Sequence, residues 1–165
     1  MSSTLLEKMR KVNKVLQTSG TQAVSFHDLS SILSEVLNAN VYILSRKGRI
    51  LGYSLGTSEE CEFLKNELLT EKKFPEEYNK SLLSFHETRS NLINKDKLCV
   101  IDNRERCDMG TNYSTIVPVN GSGERLGTMM LAKYNQEFND EDLVLAEYGA
   151  TVVGLEILRS KHEEI

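Results

Sequence analysis

The segment SRKGR at residues 45–49 gathers a hydroxyl group, three cationic side chains and a glycine within a chain whose net charge is −4. Ser45, Lys47 and Arg49 alternate along the chain, so a strand–turn–strand conformation can bring them to one side. Ammonium and guanidinium groups bind phosphate through charge-assisted hydrogen bonds. Spacing alone leaves two interpretations open: a phosphate-binding turn, or the solvated tip of a hairpin.

The segment FPEEY at residues 74–78 is a second candidate, of apolar and aromatic character. Together with Tyr42, Leu64, Leu68 and Ile101 it could line a small hydrophobic pocket, because such side chains line most ligand pockets. An ordinary hydrophobic core accounts for the same pattern. Both interpretations remain open at this point.

Thiol, metal and phosphate-loop chemistry are less well supported. Cys61, Cys99 and Cys107 could form a redox set, with Arg104 and Arg106 as nearby cations, but free cysteines that merely fill a core fit equally well. No two of the three histidines have metal-ligand spacing. The glycines of NGSGERLG precede a strand-like run instead of a helix, which favours a hairpin turn over a phosphate loop.

The composition restricts the class of protein that can carry these candidate sites. Hydrophobic residues make up 39% and charged residues 27% of 165 residues, which is typical of one globular domain. No apolar run is long enough to span a membrane, and the charged N-terminus does not fit a secretory signal, so we expect a soluble protein in the cytoplasm. The acidic balance argues against nucleic-acid binding by this segment itself, although a basic domain elsewhere could supply it.

Hydrophobic periodicity and turn residues predict the elements that position the candidates. Thr4 with Glu7, and Ser25 with Asp28, predict two N-terminal helices, and Asn139 caps a last helix that runs to the chain end without a stop signal. Between them we expect hairpins at 41–54 and 114–134, helices at 58–72 and 75–84, loops at 86–96 and 102–112, and a strand at 97–101. The predicted fold class is α+β, with about five antiparallel strands in one sheet covered by helices.

The segments LSRKGRILGYS, FPEEY, TIVPVNGSGERLGT and FNDEDLVLAEYGATVVGLEILR resemble, in this order, the CodY family of nutrient-sensing global transcriptional regulators. The resemblance implies a GAF-like antiparallel sheet of five to six strands, with N-terminal helices and a long C-terminal linker helix. It further implies a ligand-sensing domain over 1–158 and the start of the linker helix at 159–165. The family's winged helix-turn-helix domain, through which a homodimer binds DNA, would be absent from this chain.

The resemblance also implies two effectors, no cofactor and no catalysis. A branched-chain amino acid, isoleucine or valine, would contact matching positions on the FPEEY side: Tyr42, Leu64, Lys65, Leu68, Phe74, Pro75, Tyr78, Cys99 and Ile101. The family commonly carries an arginine for the ligand carboxylate on the helix before FPEEY, whereas this sequence has none between residues 50 and 88. Lys65 is the nearest cation there, and Arg104 or Arg106 could reach in from the long loop.

The second implied effector is GTP. The matching positions are Val24, Phe26, Ser45, Lys47, Arg49, Glu156 and Lys161. Phe26 would pack on the base, Glu156 would accept hydrogen bonds from the guanine edge, and the cations would hold the phosphates. Two rival interpretations remain: a GAF-fold cysteine enzyme that reduces free methionine sulfoxide, and a dimerisation module with a vestigial pocket.

Overall fold

The computed structural model describes residues 4–18, 25–57, 61, 64–66, 70, 72–94, 99 and 111–163. Two helices open the chain, α1 (Leu5–Thr18) and α2 (Phe26–Leu37). Each begins as its cap predicts: the Thr4 hydroxyl accepts the Glu7 N–H at 3.1 Å, and the Ser25 hydroxyl accepts the Asp28 N–H at 2.9 Å. These bonds satisfy amide groups that a helix N-terminus otherwise leaves unpaired.

Five strands form the sheet found among the described residues: β1 (Asn40–Ser45), β2 (Ile50–Ser54), β3 (Arg89–Ile93), β4 (Asn112–Gly121) and β5 (Glu124–Tyr134). Their order is β2-β1-β5-β4-β3, and every neighbouring pair is antiparallel. The turn between β4 and β5 places Ser122 and Gly123 at positive φ, which is the two-residue hairpin geometry that the glycines predict. The predicted α+β class with a GAF-like sheet is confirmed.

Two further helices follow along the chain, α3 (Glu76–Leu83) and α4 (Asp140–Glu163). Pro75 is the residue that precedes α3, where its missing N–H costs nothing. At the start of α4 the Asn139 side chain accepts the Asp142 N–H at 2.8 Å, as predicted for a cap. No helix in the described part of the chain is long and apolar enough to cross a membrane.

The sheet carries a hydrophobic core on each face, because successive strand residues point to opposite sides. Val41 and Ile43 of β1 belong to the first core, which α1, α2 and α4 cover. Tyr42 and Leu44 belong to the second core, together with Tyr78 and Leu82 of α3 and with Phe74, which lies two residues before that helix. The second core therefore contains the aromatic residues of FPEEY.

The prediction of a loop over 86–96 is wrong, because residues 89–93 form β3 at the edge of the sheet. An edge strand pairs on one side only and tolerates polar residues, so its sequence carries little apolar signal. Asn91 adopts φ 54° at a bulge, and its side chain bonds Phe138 O and Phe138 N at 2.9 and 2.7 Å. The predicted strand 97–101 and loop 102–112 lie almost wholly outside the described residues, as does much of the helix 58–72, of which 64–66 and 70 are helical.

Candidate functional site

Three aromatic rings form the centre of the second core. Tyr42 lies in β1, Phe74 two residues before α3, and Tyr78 in the first turn of α3. The ring centroids of Tyr42 and Phe74 are 6.0 Å apart, and Phe74 meets Tyr78 edge-to-face at 5.2 Å. All three side chains are buried. Edge-to-face contacts at such distances are favourable beyond the area they bury, so the three rings form one packed unit, called here the aromatic cluster.

The Tyr78 hydroxyl lies inside this core. It donates to the Met130 sulfur at 3.6 Å. Burial raises the pKa of the Tyr78 phenol well above its usual value of 10, and the neighbouring Cys99 and Cys61 thiols raise the same pKa further. The phenol is therefore neutral at physiological pH and presents an uncharged surface to any group beside it.

The other positions predicted for an amino-acid ligand fall around the aromatic cluster in varying degree. Leu64 is buried in the second core, and Cys99 packs against it with Cys61. Pro75 is half-buried before α3, whereas Lys65 is exposed. Leu68 and Ile101 lie outside the described residues, as do Arg104 and Arg106. The structure thus brings Tyr42, Leu64, Phe74, Tyr78 and Cys99 to one core.

Arg125 is a cation near this core that the sequence analysis did not single out. Its guanidinium donates to Phe85 O at 2.7 Å, Leu82 O at 3.3 Å, Gly127 O at 2.6 Å and the Thr128 hydroxyl at 2.9 Å. Burial lowers its pKa below the usual value. Because two of these acceptors are carbonyls at the C-terminal end of α3, Arg125 holds that helix against the sheet. Its position at the start of β5, directly after the turn that contains Gly123, was the only sequence signal of such a role.

The basic hairpin, residues 45–49, lies between β1 and β2. The Ser45 hydroxyl accepts the Arg49 N–H at 3.1 Å, and Ser45 N donates to Arg49 O at 2.9 Å. Lys47 and Arg49 are exposed. Both cationic side chains are thus accessible, while the Ser45 oxygen already serves the hairpin itself.

Glu156 carries an unusual carboxylate on α4. Its Oε2 is buried and has no hydrogen-bond partner among the described residues, and its Oε1 is 4.0 Å from the Arg159 guanidinium. A buried acceptor without a donor is costly, so such groups call for an explanation. Unlike the exposed hairpin cations, the Glu156 side chain is only 13% exposed.

The strand register relates Glu156 to the hairpin. Ser45 of β1 pairs with Gly127 of β5, which pairs with Val119 of β4. The α4 backbone crosses that end of β4 at Gly154, where an added Cβ would lie 2.7 Å from Asn120 O. The hairpin and the C-terminal half of α4 therefore meet the same end of the sheet, two strands apart, or about 10 Å.

Phe26 is the first residue of α2 and is half-buried against the first core. The backbone there lies close to β2, because a Cβ added at Gly52 would lie 2.6 Å from the carbonyl oxygen of Phe26. Val24 and the side chain of Lys161 lie outside the described residues. The structure thus places Phe26 and the helix that carries Glu156 against the same face of the sheet and leaves the Lys47 and Arg49 side chains exposed on the hairpin.

Two open grooves accompany these features. One of about 340 Å³ runs along β2 and is lined by His27, Ile50, Leu51, Gly52, Tyr53 and Lys72. The other, of about 280 Å³, lies between β4 and α4 and includes His86, Glu87 and Glu147. Within the described ranges, no group of three or more His, Cys, Asp or Glu residues is placed to hold a metal ion. The groove on β2 adjoins the hairpin, and only the position of His27 next to Phe26 could have suggested it.

Solved structures show a similar fold. The GAF domain of the nutrient sensor CodY from Clostridium difficile, described as cofactor-binding, is 44% identical, covers 95% of this chain and 99% of its own, and superposes with a TM-score of 0.65. A free methionine-R-sulfoxide reductase from Neisseria meningitidis superposes with a TM-score of 0.64 at 8% identity, over 99% of this chain and 95% of that chain, and this likeness shows the fold alone.

The sequence comparisons agree. Global transcriptional regulators CodY from Clostridium tetani and Clostridium kluyveri are 52% and 53% identical over 163 residues, which is 99% of this chain. The chain spans 63% of the length of these curated relatives, which are named as regulators and not as enzymes. The sequence model of the family described as the CodY GAF-like domain matches residues 4–165. With a family match over nearly the whole chain and half of all residues identical to these relatives, the chain belongs to the CodY family.

Proposed function

We propose that this domain senses two effectors, a branched-chain amino acid at the aromatic cluster and GTP between the basic hairpin and α4. The effectors would control DNA binding by a homodimeric regulator through a further, C-terminal domain. Residues 1–158 form the sensing domain in this proposal, and 159–165 begin the linker helix. The observation that carries the proposal is the aromatic cluster, an uncharged apolar core on the face of the sheet opposite the packed N-terminal helices.

The chemistry of the second core suits an aliphatic ligand. Its described side chains are apolar or neutral, since the Tyr78 phenol stays protonated, and transfer of an isoleucine or valine side chain from water into such surroundings is favourable. The rings are in contact in this structure, so an entering side chain must separate them or occupy the side toward Leu64, Cys61 and Cys99. Entry between the rings would rearrange the cluster, whereas binding beside Leu64, Cys61 and Cys99 would leave the rings in contact.

The hairpin and α4 suit a guanine nucleotide for a different reason. The buried Glu156 oxygen has no donor among the described residues, and a guanine edge offers two N–H donors that match a carboxylate. Lys47 and Arg49 are exposed cations that phosphate oxygens can reach. Phe26 supplies an apolar surface at the same end of the sheet. Glu156, the two hairpin cations and Phe26 together support a site that binds the base at one end and the phosphates at the other.

Control of DNA binding follows by linkage. An effector changes the equilibrium between two arrangements of the regulator only to the extent that it binds one of them more tightly. In this proposal the sensing domain supplies that difference in affinity, and α4 carries it onward, because α4 bears Glu156 and continues unbroken to Glu163.

Calorimetric titration of the chain with isoleucine, valine and leucine tests the amino-acid site. Isoleucine or valine should release heat and raise Tm. Tyr78→Ala should weaken binding by about 1–3 kcal/mol through lost packing. The matched control is Tyr53→Ala, because Tyr53 is 42% exposed on β2. If Tyr78→Ala unfolds, Phe74→Leu, which keeps the core apolar, replaces it. No heat and no shift of Tm at millimolar isoleucine would refute the site.

Titration with GTP tests the second site. Lys47→Glu with Arg49→Glu should lower GTP affinity and leave isoleucine affinity nearly unchanged, and the wild-type affinity should fall as salt screens the phosphate contacts. Lys14→Glu is the control, since Lys14 is an exposed lysine on α1. Unchanged GTP affinity after the double reversal would refute the phosphate site.

A further inference from the structure

Two cysteines lie beside the aromatic cluster, on the side of the second core where a ligand would leave the rings in contact. Cys61 and Cys99 are far apart in the chain, yet both pack against this core. Each is half-buried, and neither is in a disulfide. The fold thus brings two partly accessible thiols to one hydrophobic cluster.

A helical turn directs Cys61 toward the second core. Lys65 N donates to Cys61 O at 2.8 Å, which is the backbone hydrogen bond of one α-helical turn. Leu64 is 3% exposed and belongs to the second core. Because residues three apart lie on one face of a helix, Cys61 shares the face of the turn that Leu64 buries.

The Tyr78 phenol lies near both thiols. Cys99 and Cys61 each raise the pKa of this phenol, and Cys99 also forms a hydrogen bond with it. Because electrostatic effects weaken with distance, both sulfur atoms lie in the neighbourhood of one buried hydroxyl. The same hydroxyl donates to the Met130 sulfur at 3.6 Å, but Met130 is only 3% exposed. Of these three sulfur atoms, the two thiols are therefore the ones that a small solute reaches.

We propose that Cys61 and Cys99 are a modification site, at which a peroxide oxidises the two thiols to a disulfide that closes the amino-acid site. This inference rests on the proposed function, because the disulfide would form on the side of the core that Leu64 and the two cysteines line. A disulfide holds its two Cα atoms about 4.4–6.8 Å apart. The bond would therefore tie the turn at residue 61 to residue 99 across the space that a ligand needs.

The oxidation consumes one molecule of peroxide. One cysteine attacks a peroxide oxygen as a thiolate, so that an S–O bond forms, the O–O bond breaks, and the departing hydroxide takes up a proton to give water. The second thiol then attacks the sulfenic sulfur, so that the S–S bond forms, the S–O bond breaks, and hydroxide leaves with the thiol proton as water. The two sulfur atoms together lose two electrons, and the peroxide is reduced by them. Dithiothreitol reverses the bond by thiol–disulfide exchange.

The test compares the reduced and the peroxide-treated Cys107→Ser chain. Cys107 lies outside the described residues, and its replacement leaves Cys61 and Cys99 as the two cysteines of the sequence. Mass mapping of peptides should find residues 61 and 99 joined after treatment. Isoleucine affinity should fall by about tenfold or more, within the 5- to 150-fold range typical of coupled sites, and dithiothreitol should restore it. The matched control adds Cys61→Ser, whose isoleucine affinity, whatever its starting value, should not change with peroxide.

The outcomes separate the thiol pair from the proposed function. A sulfenic acid or an intermolecular disulfide in place of the bond between residues 61 and 99 would overturn the thiol pair. That bond without a change in isoleucine affinity would overturn the closing of the site and leave the proposed function intact. A loss of affinity on peroxide treatment that persists in the Cys61→Ser control would also overturn the proposal, because no disulfide can then be its cause. Absence of isoleucine binding by the reduced chain would refute the proposed function and the closing of the site with it.

Discussion

The buried ion pair at the start of α4 allows a prediction of stability with a defined magnitude. Lys133 Nζ lies 3.0 Å from Asp142 Oδ2, and the two side chains are only 5% and 4% exposed. The same oxygen accepts Asn139 N at 3.0 Å, and the Lys133 ammonium lies 5.0 Å from the centre of the Phe138 ring. Removal of one partner leaves the other charge buried, which typically destabilises a protein by about 3–5 kcal/mol.

Lys133→Met should therefore lower the free energy of unfolding by about 3–5 kcal/mol. For a domain of this size that loss corresponds to a fall in Tm of roughly 6–20 °C. Adding Asp142→Asn should recover more than half of the loss, because neither charge then remains and the amide oxygen can still accept the Asn139 N–H. Urea unfolding and differential scanning calorimetry measure both effects.

An exposed pair provides the control for this experiment. Lys11 Nζ is 3.8 Å from Glu35 Oε1, and the side chains are 51% and 63% exposed. Exposed pairs contribute less than about 1 kcal/mol, so Lys11→Met should change little. If Lys133→Met costs no more than Lys11→Met, the ion pair does not anchor α4, and the position of Glu156 must depend on other contacts.

Two further predictions concern the second core and the hairpin. The pKa of Tyr78 is raised in the folded state, so the unfolded state loses its proton first as the pH rises above about 10. The free energy of unfolding should therefore fall above that pH, and it should fall less in Tyr78→Phe than in wild type. Tyr53→Phe, at an exposed position, should keep the wild-type slope, and equal slopes for the two variants in urea unfolding between pH 8 and 11.5 would contradict the burial argument. Gly48→Ala should destabilise the chain by about 1–2 kcal/mol more than Gly123→Ala, because both glycines have positive φ but only Gly48 faces Asn79. Equal losses in urea unfolding would mean that the Asn79 side chain moves aside at no cost in free energy.

The parts of the fold that the sequence predicts correctly depend on short-range interactions. Both N-terminal caps join residues three apart, and the β4–β5 turn requires only local backbone freedom. By contrast, β3 is stabilised by its pairing with β4 and by Asn91, whose side chain bonds the Phe138 backbone 47 residues away. The hydrophobic pattern of residues 89–93 contains no information about such a distant contact, so the sequence predicts a loop there.

The packing of the helices shows the same difference between what local sequence predicts and what long-range contacts decide. Four apolar residues recur at heptad-like spacing in α1, namely Leu5, Met9, Val12 and Leu16. This spacing predicts that α1 packs against the last helix, where Gly149, Ala150 and Gly154 would allow a close approach. Val12 is indeed buried in the first core, and the Tyr148 hydroxyl on α4 bonds Asn13 Oδ1 on α1 at 2.6 Å. However, Gly149 makes room for Leu33 of α2, and Gly154 for the β4 backbone. Sequence pattern identifies the apolar face, but not the element that covers it.

For the candidate site, residue type and alternation predict the members better than their connections. The predicted alternation of Ser45, Lys47 and Arg49 leaves the two cations exposed, yet the Ser45 oxygen is occupied by the hairpin itself. Asn79 donates from Nδ2 to Arg46 O at 3.0 Å, and this hydrogen bond spans 33 residues and depends on the exact position of α3. The sequence carried no signal that the polar residue after Tyr78 makes this hydrogen bond.

The central claim is that a branched-chain amino acid binds at the aromatic cluster. The most direct measurement is an NMR experiment in which isoleucine with ¹³C-labelled methyl groups is bound to the chain and intermolecular contacts are recorded. The account predicts nuclear Overhauser effects from the ligand methyl groups to the ring protons of Phe74 and Tyr78. Contacts instead to residues of the groove between β4 and α4, such as His86, or no intermolecular contact at all, would contradict it.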